Sequence, residues 1–154
     1  MFFTPAEFNR LYNQQFKECN QIYAEIARHC GLSETAFWLL YTLRENGAPM
    51  TQADLCAELC LSKQTVNSAL KSLECAGHIR LETAPNDRRS KRVSLTDAGC
   101  AAAAQTVDPI LTMEEAVAAR LSDEERTVIL DLGRRCLALL REEAQRFMQD
   151  GGVR

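Results

Sequence analysis

The sequence predicts a mainly α fold with one β-hairpin: a winged helix-turn-helix flanked by long N- and C-terminal helices. Three observations predict it. Residues 61–99, LSKQTVNSALKSLECAGHIRLETAPNDRRSKRVSLTDAG, read in order as a helix, a strand, a basic loop, a second strand and the start of another helix. Residues 62–92 hold seven basic and three acidic side chains, a net of +4 in a chain of net −3, so the remainder carries −7. Long amphipathic stretches bracket that segment on both sides.

The elements follow from their start and stop signals. Thr4-Pro5-Ala6-Glu7 supplies an N-cap, a proline at the first helical position and a capping-box glutamate, opening a helix from about Pro5 to Arg28. Its apolar positions include Phe8, Leu11, Tyr12, Phe16, Ile22 and Ile26. Gly31 breaks the chain direction, and Ser33 caps a second helix to about Glu45, carrying Phe37, Trp38, Leu40, Tyr41 and Leu43. Asn46-Gly47-Ala48-Pro49 is a turn. Thr51-x-x-Asp54 resembles a capping box and opens a short helix, Gln52 to about Cys60, with Leu55 and Leu59 inward. Ser62 caps the next helix, which ends near Ala76-Gly77. Ile79 to Thr83 alternates apolar and polar, Val93 and Leu95 repeat the alternation, and Pro85-Asn86-Asp87 marks the turn between the strands. Thr96 caps a helix to about Ala118 with a kink at Pro109. Ser122-x-x-Glu125 starts the last helix, to about Met148, where Val128, Leu132, Leu139 and Phe147, with Leu140 beside them, form an apolar seam. The total is six helices and one hairpin.

At 154 residues, 46% apolar and 25% charged, the chain suits one globular domain with a substantial core. We expect residues 1–154 to form a single domain, with 33–100 as the winged lobe and 5–28 and 101–148 as helices that pair two copies. No apolar run has the length of a membrane span, and MFFTPAEFNR is not a secretory signal. Seven cysteines without an export signal point to reduced thiols in the cytoplasm.

On the helix opened by Ser62, Val66, Leu70 and Leu73 fall at i, i+4 and i+7 and make the core face. Ser62, Lys63, Gln64, Thr65, Asn67, Ser68 and Lys71 lie on its early turns or away from that face. Glutamine and asparagine pair bidentately with adenine and threonine meets the thymine methyl, so this face fits the major groove of double-stranded DNA. At the hairpin tip Arg88 or Arg89 would enter the minor groove, while Lys91 and Arg92 would meet phosphates. Asp87 would pair with a nearby arginine and set its direction, or simply form the turn. A basic run on its own is usually a solvated loop. The capped helix before it favours DNA.

The run Asp87-x-Arg89-x-x-x-Val93-x-Leu95-Thr96-x-x-Gly99 resembles the wing signature of the MarR family of bacterial transcription regulators. Thr51-x-x-Asp54-Leu55 and Thr65-Val66…Leu70…Leu73-Glu74…Gly77 resemble its helix-turn-helix. The resemblance implies a homodimer on a pseudo-palindromic operator, usually a repressor, with the terminal helices as the dimer interface. It implies that Arg89 is the minor-groove arginine and Asp87 its orienting partner. It also implies release from DNA by a small phenolic or other apolar effector, with no cofactor required.

Two alternatives stay open. Some members of the resembled family sense oxidants through a cysteine in the first helix, where Cys19 lies here, with Tyr12 and Tyr23 nearby in sequence. Buried structural thiols are the ordinary expectation. The other alternative is a helical dimer that binds a protein partner and not DNA. A zinc set from Cys56, Cys60, Cys75 and His78 has unconvincing spacing, because both cysteines of the first pair fall within an expected helix and suit core packing, so no metal is expected. No Gly-rich phosphate loop, HExxH or nucleophile elbow is present, so no enzyme is expected.

Overall fold

A computed structural model describes residues 3–84 and 87–151, with side chains undescribed at 84 and 87–90. Chain order is α1 (Pro5–His29), α2 (Glu34–Asn46), β1 (Met50–Thr51), α3 (Gln52–Glu58), α4 (Lys63–Cys75), β2 (Ile79–Ala84), β3 (Asp87–Leu95), α5 (Asp97–Thr106), α6 (Asp108–Ala118) and α7 (Asp123–Gln149). Contacts divide the chain into two compact units, Met1–Ile110 and Leu111–Arg154.

In the first unit every helix start named from sequence is a real cap. Thr4, Ser33, Thr51, Ser62 and Thr96 each adopt extended backbone and accept a hydrogen bond from the amide three residues on. Each satisfies a donor that would otherwise be orphaned at the helix start, a contribution of about 1 kcal/mol. The core is Phe37, Leu39, Leu40 and Leu43 of α2, Leu55 of α3, Val66, Leu70 and Leu73 of α4, Ile79 and Val93 of the sheet, and Ala103 and Val107 at α5. Burying one such leucine or valine is worth roughly 1.5–3 kcal/mol. Arg44 of α2 clasps Asp108 at the start of α6 with two hydrogen bonds, 2.8 and 2.6 Å. Hydrogen bonding to Asp108 raises the guanidinium pKa, and the same pairing lowers that of the carboxyl.

The sheet is antiparallel in the order β1-β3-β2. Ile79 pairs with Leu95, Leu81 with Val93 and Glu82 with Arg92, and the register shifts between Thr83 and Ala84. The wing meets α5 at a tight corner. The Thr96 hydroxyl donates to the Gly77 carbonyl at 2.6 Å and accepts from the Gly99 amide at 2.9 Å. A Cβ built on Gly99 would stand 1.8 Å from the His78 carbonyl oxygen, so only glycine fits there.

In the second unit Ser122 and Glu125 form a full capping box at the start of α7, as expected. Arg126 reaches back to the Ala118 carbonyl at 3.1 Å. No residue of α6 or α7 is buried. The seam expected from sequence is exposed throughout, from Val128 at 53% to Phe147 at 60%. On α1 of the first unit, Phe8, Tyr12, Phe16 and Ile22 are exposed as well.

Four expectations need correction. The helix after Thr96 is two helices rather than one kinked helix, so the described residues hold seven. Pro109 cannot donate to the preceding turn and its ring clashes with a carbonyl there, so α5 ends at Thr106 and the proline sits in the first turn of α6. The hairpin gains a third strand, β1, whose two residues are too few to show a period. Helix α3 stops at Glu58. Cys60 therefore lies outside the helix at φ 52° and is exposed rather than packed in the core, while Cys56 is half-buried.

Candidate nucleic-acid interface

The start of α4 is fixed by its own hydroxyls. Ser62 Oγ accepts from the Thr65 amide at 3.2 Å and lies 2.8 Å from Thr65 Oγ1. Ser68 Oγ donates to the Gln64 carbonyl at 3.1 Å. These three hydroxyls are thus engaged within the helix. Val66, Ala69, Leu70 and Leu73 turn inward, which leaves Ser62, Lys63, Gln64, Thr65, Asn67, Ser68 and Lys71 exposed.

The exposed residues separate onto two flanks. Lys63, Asn67 and Lys71 recur every four residues and face α3 and the wing, where Lys91 joins them. Gln64, Thr65, Ser68 and Ser72 line a shallow groove beside Ser33 and Thr35 at the start of α2. Among the described residues none of Lys63, Lys71 and Lys91 is in an ion pair, so their charges are available to a polyanion.

Lys91 and Arg92 point to opposite faces of the sheet, as successive strand residues must. Lys91 shares the inner side with Leu81, against α4, in a groove of about 380 Å³. Arg92 lies across from Glu82, which also pairs with Arg80 at 2.7 Å. The charge of Arg92 also acts on Asp54. Hydrogen bonds from the Thr51 hydroxyl and amide hold the Asp54 carboxyl below its ordinary range, and Arg92 adds to this. Arg92 is therefore not gathered with Lys91 and the α4 lysines, although Lys91 and Arg92 were both expected to meet phosphates. The side chains of Asp87, Arg88 and Arg89, and the turn at residues 85–86, lie outside the described residues.

One residue of this face carries no sequence signal. Gln52, the first residue of α3, donates Nε2 to Oδ1 of Asn67 on α4 at 2.5 Å. It is held there because β1 pairs Thr51 with Arg92 and the Thr51–Asp54 capping box fixes the helix start. A glutamine after a helix cap is commonplace, and only the fold aims it at α4. All seven cysteines are free, and Cys19 is exposed on α1. Among the described residues no group of three or more His, Cys, Asp or Glu is placed to hold a metal ion.

A supporting helix, a capped second helix and a two-stranded wing joined to a third short strand define a winged helix-turn-helix. A model of the MarR family matches residues 25–90. The HTH-type transcriptional regulator PecS of Dickeya dadantii (strain 3937) is 35% identical over 98 residues, 62% of this chain and 59% of that protein. A putative transcriptional regulatory protein for the hcr operon of Thauera aromatica is 26% identical over 105 residues, 68% of this chain and 63% of that one. The chain thus spans about three fifths of the length of the curated relatives it matches. Among solved structures, NMB1585, a MarR family regulator from Neisseria meningitidis, superposes with a TM-score of 0.73 at 27% identity, covering 90% of this chain and 96% of that one. Residues 25–90 thus match the MarR family, and the chain is similar in sequence and in fold to winged-helix transcriptional regulators of that family, which are not enzymes.

Proposed function

We propose that the chain is a sequence-specific regulator that binds double-stranded DNA as a homodimer. The observation that carries this reading is the row of Lys63, Lys71 and Lys91 around Asn67 on a capped helix, none of the three in an ion pair among the described residues. Residues 33–100 act as the reading lobe. Arg89 reaches the minor groove with Asp87 orienting it, and Lys91 meets phosphate. The helices at 5–28 and 101–148 pair two copies. Their exposed apolar residues support this, since large apolar side chains clustered on an exposed helix face mark an interaction surface. Two-fold symmetry then sets the α4 helices about one turn of DNA apart, roughly 34 Å.

The regulator acts in the cytoplasm as a repressor that a small apolar or phenolic effector releases. A crevice of about 750 Å³ in the first unit fits that role, with Phe16, Tyr23, Trp38 and Tyr41 in its wall. Tyr23 and Trp38 pack with ring centres 4.8 Å apart. Glu34, Glu45 and Glu58 also line it, with no lysine, arginine or histidine among the described residues, which favours the neutral over the anionic form of a phenol. The exposed thiol of Cys19 supports a second reading, in which oxidation rather than an effector releases DNA.

Fluorescence anisotropy tests the proposal, with duplex from upstream of the protein's own gene against scrambled duplex in a salt series. Tight, sequence-dependent binding with a steep salt slope is expected. Arg89→Ala weakens it. Absence of binding at low salt overturns the DNA-binding reading in favour of a protein partner. Peroxide treatment of wild type and Cys19→Ser in the same assay decides the second reading. Release that requires Cys19 supports it, and unchanged binding rejects it.

A further inference from the structure

We infer that Gln52 sets the base preference of α4 by turning the carboxamide of Asn67, so that Asn67 meets its base as a hydrogen-bond donor. The inference rests on the DNA-binding reading. A free asparagine presents Oδ1 and Nδ2 side by side, which matches the N6 donor and N7 acceptor of adenine. That pairing needs both ends of the amide at the base edge. Here Oδ1 of Asn67 accepts from Nε2 of Gln52. Gln52 sits not on the outer face of α4 but on its flank, half-buried in the groove that Leu70 and Leu81 also line. An oxygen held toward that flank is turned away from the base edge, which leaves the Nδ2 protons for the major groove of DNA. A donor alone suits guanine, whose edge offers the acceptors N7 and O6 and no donor.

The arrangement is preorganised. The capping box and the β1–β3 pairing fix the backbone of Gln52, and the buried face of α4 fixes that of Asn67. Gln52 acts through Asn67 and is a positioning residue. A merely structural role would lower affinity for all duplexes by one factor. The positioning role instead changes which base is preferred at one position.

The test is selection of bound duplexes from a random pool by wild type, Asn67→Ala, Gln52→Ala and Gln52→Glu. Anisotropy on duplexes varied at each position then quantifies the preferences. Asn67→Ala identifies the position that Asn67 reads by losing discrimination there alone. Wild type is expected to prefer guanine over adenine at that position. Gln52→Ala frees Oδ1 and reverses the preference by about 10-fold, the scale of one bidentate base contact. Gln52→Glu offers only acceptors, takes the amide protons of Asn67 and turns Oδ1 outward, so it also moves the preference toward bases carrying a donor. A wild-type preference for adenine at that position overturns the inference. So does a uniform loss of affinity in Gln52→Ala with an unchanged preference, or an Asn67→Ala variant that loses discrimination nowhere. Those results leave DNA binding intact. Failure of wild type to select any sequence overturns the DNA-binding reading and this inference together.

Discussion

Helices α4 and α7 are both amphipathic, yet they settle their apolar faces in different ways. α4 buries Val66, Ala69, Leu70 and Leu73 to 7% exposure or less within its own chain. α7 buries nothing, and Leu132 and Leu139 stay more than half exposed. The spacing of apolar residues says that a helix needs a partner, but not whose. α4 has α2, α3 and the wing strands within reach of its own chain. In the proposed dimer a second copy covers the seam of α7 and the exposed aromatic residues of α1. On that proposal, stability of the α4 lobe and affinity of the dimer are separable quantities.

The largest expected effect breaks the α7 side. Leu132→Glu with Leu139→Glu places charges in the proposed interface, so sedimentation should show monomers. Affinity for the operator should fall by about 100-fold or more as the linked second half-site is lost. The lobe itself should melt unchanged. A dimer that survives both charges would place the interface elsewhere.

Gly99→Ala breaks the other side. Its methyl group would overlap the His78 carbonyl and force the wing corner to shift. We expect roughly 1–3 kcal/mol of destabilisation, read from denaturant unfolding.

Charge contacts sharpen the comparison with smaller effects. Lys91→Ala should lower the salt slope of DNA binding by about 1, whereas Arg92→Ala, on the opposite face of the sheet, should change it less. Equal slopes for both variants would contradict the two-faced wing.

The smallest effect concerns acid. The Asp108 pKa is lowered by Arg44, so the pair stabilises the fold above the ordinary carboxylate range, near pH 4. That contribution is lost as pH falls through the lowered folded value. Melting profiles of wild type should therefore drop more steeply below about pH 4 than those of Asp108→Asn. Parallel profiles would mean that the clasp adds nothing measurable.

Local chemistry made much of this fold legible. Thr4, Ser33, Thr51, Ser62, Thr96 and Ser122 are read as caps because each can accept one hydrogen bond from its own neighbouring backbone, and each does so. The hairpin followed from alternation on either side of the Pro85-Asn86-Asp87 turn signal. What stayed hidden depends on residues distant in sequence. β1 exists because Met50 and Thr51 meet Val93 and Arg92. The separation of Arg92 from Lys91 follows from strand facing, and the hold of Gln52 on Asn67 from the packing of α3 on α4. The left-handed backbone at Cys60 follows from where α3 ends, which the apolar pattern did not mark.

The most direct test of the central claim, that α4 and the wing read DNA while the outer helices pair two copies, is hydroxyl-radical footprinting of the dimer on a selected operator. The account predicts two symmetric protected patches with centres about 10 base pairs apart, one for each α4. A single patch, or protection with no two-fold symmetry, would contradict it.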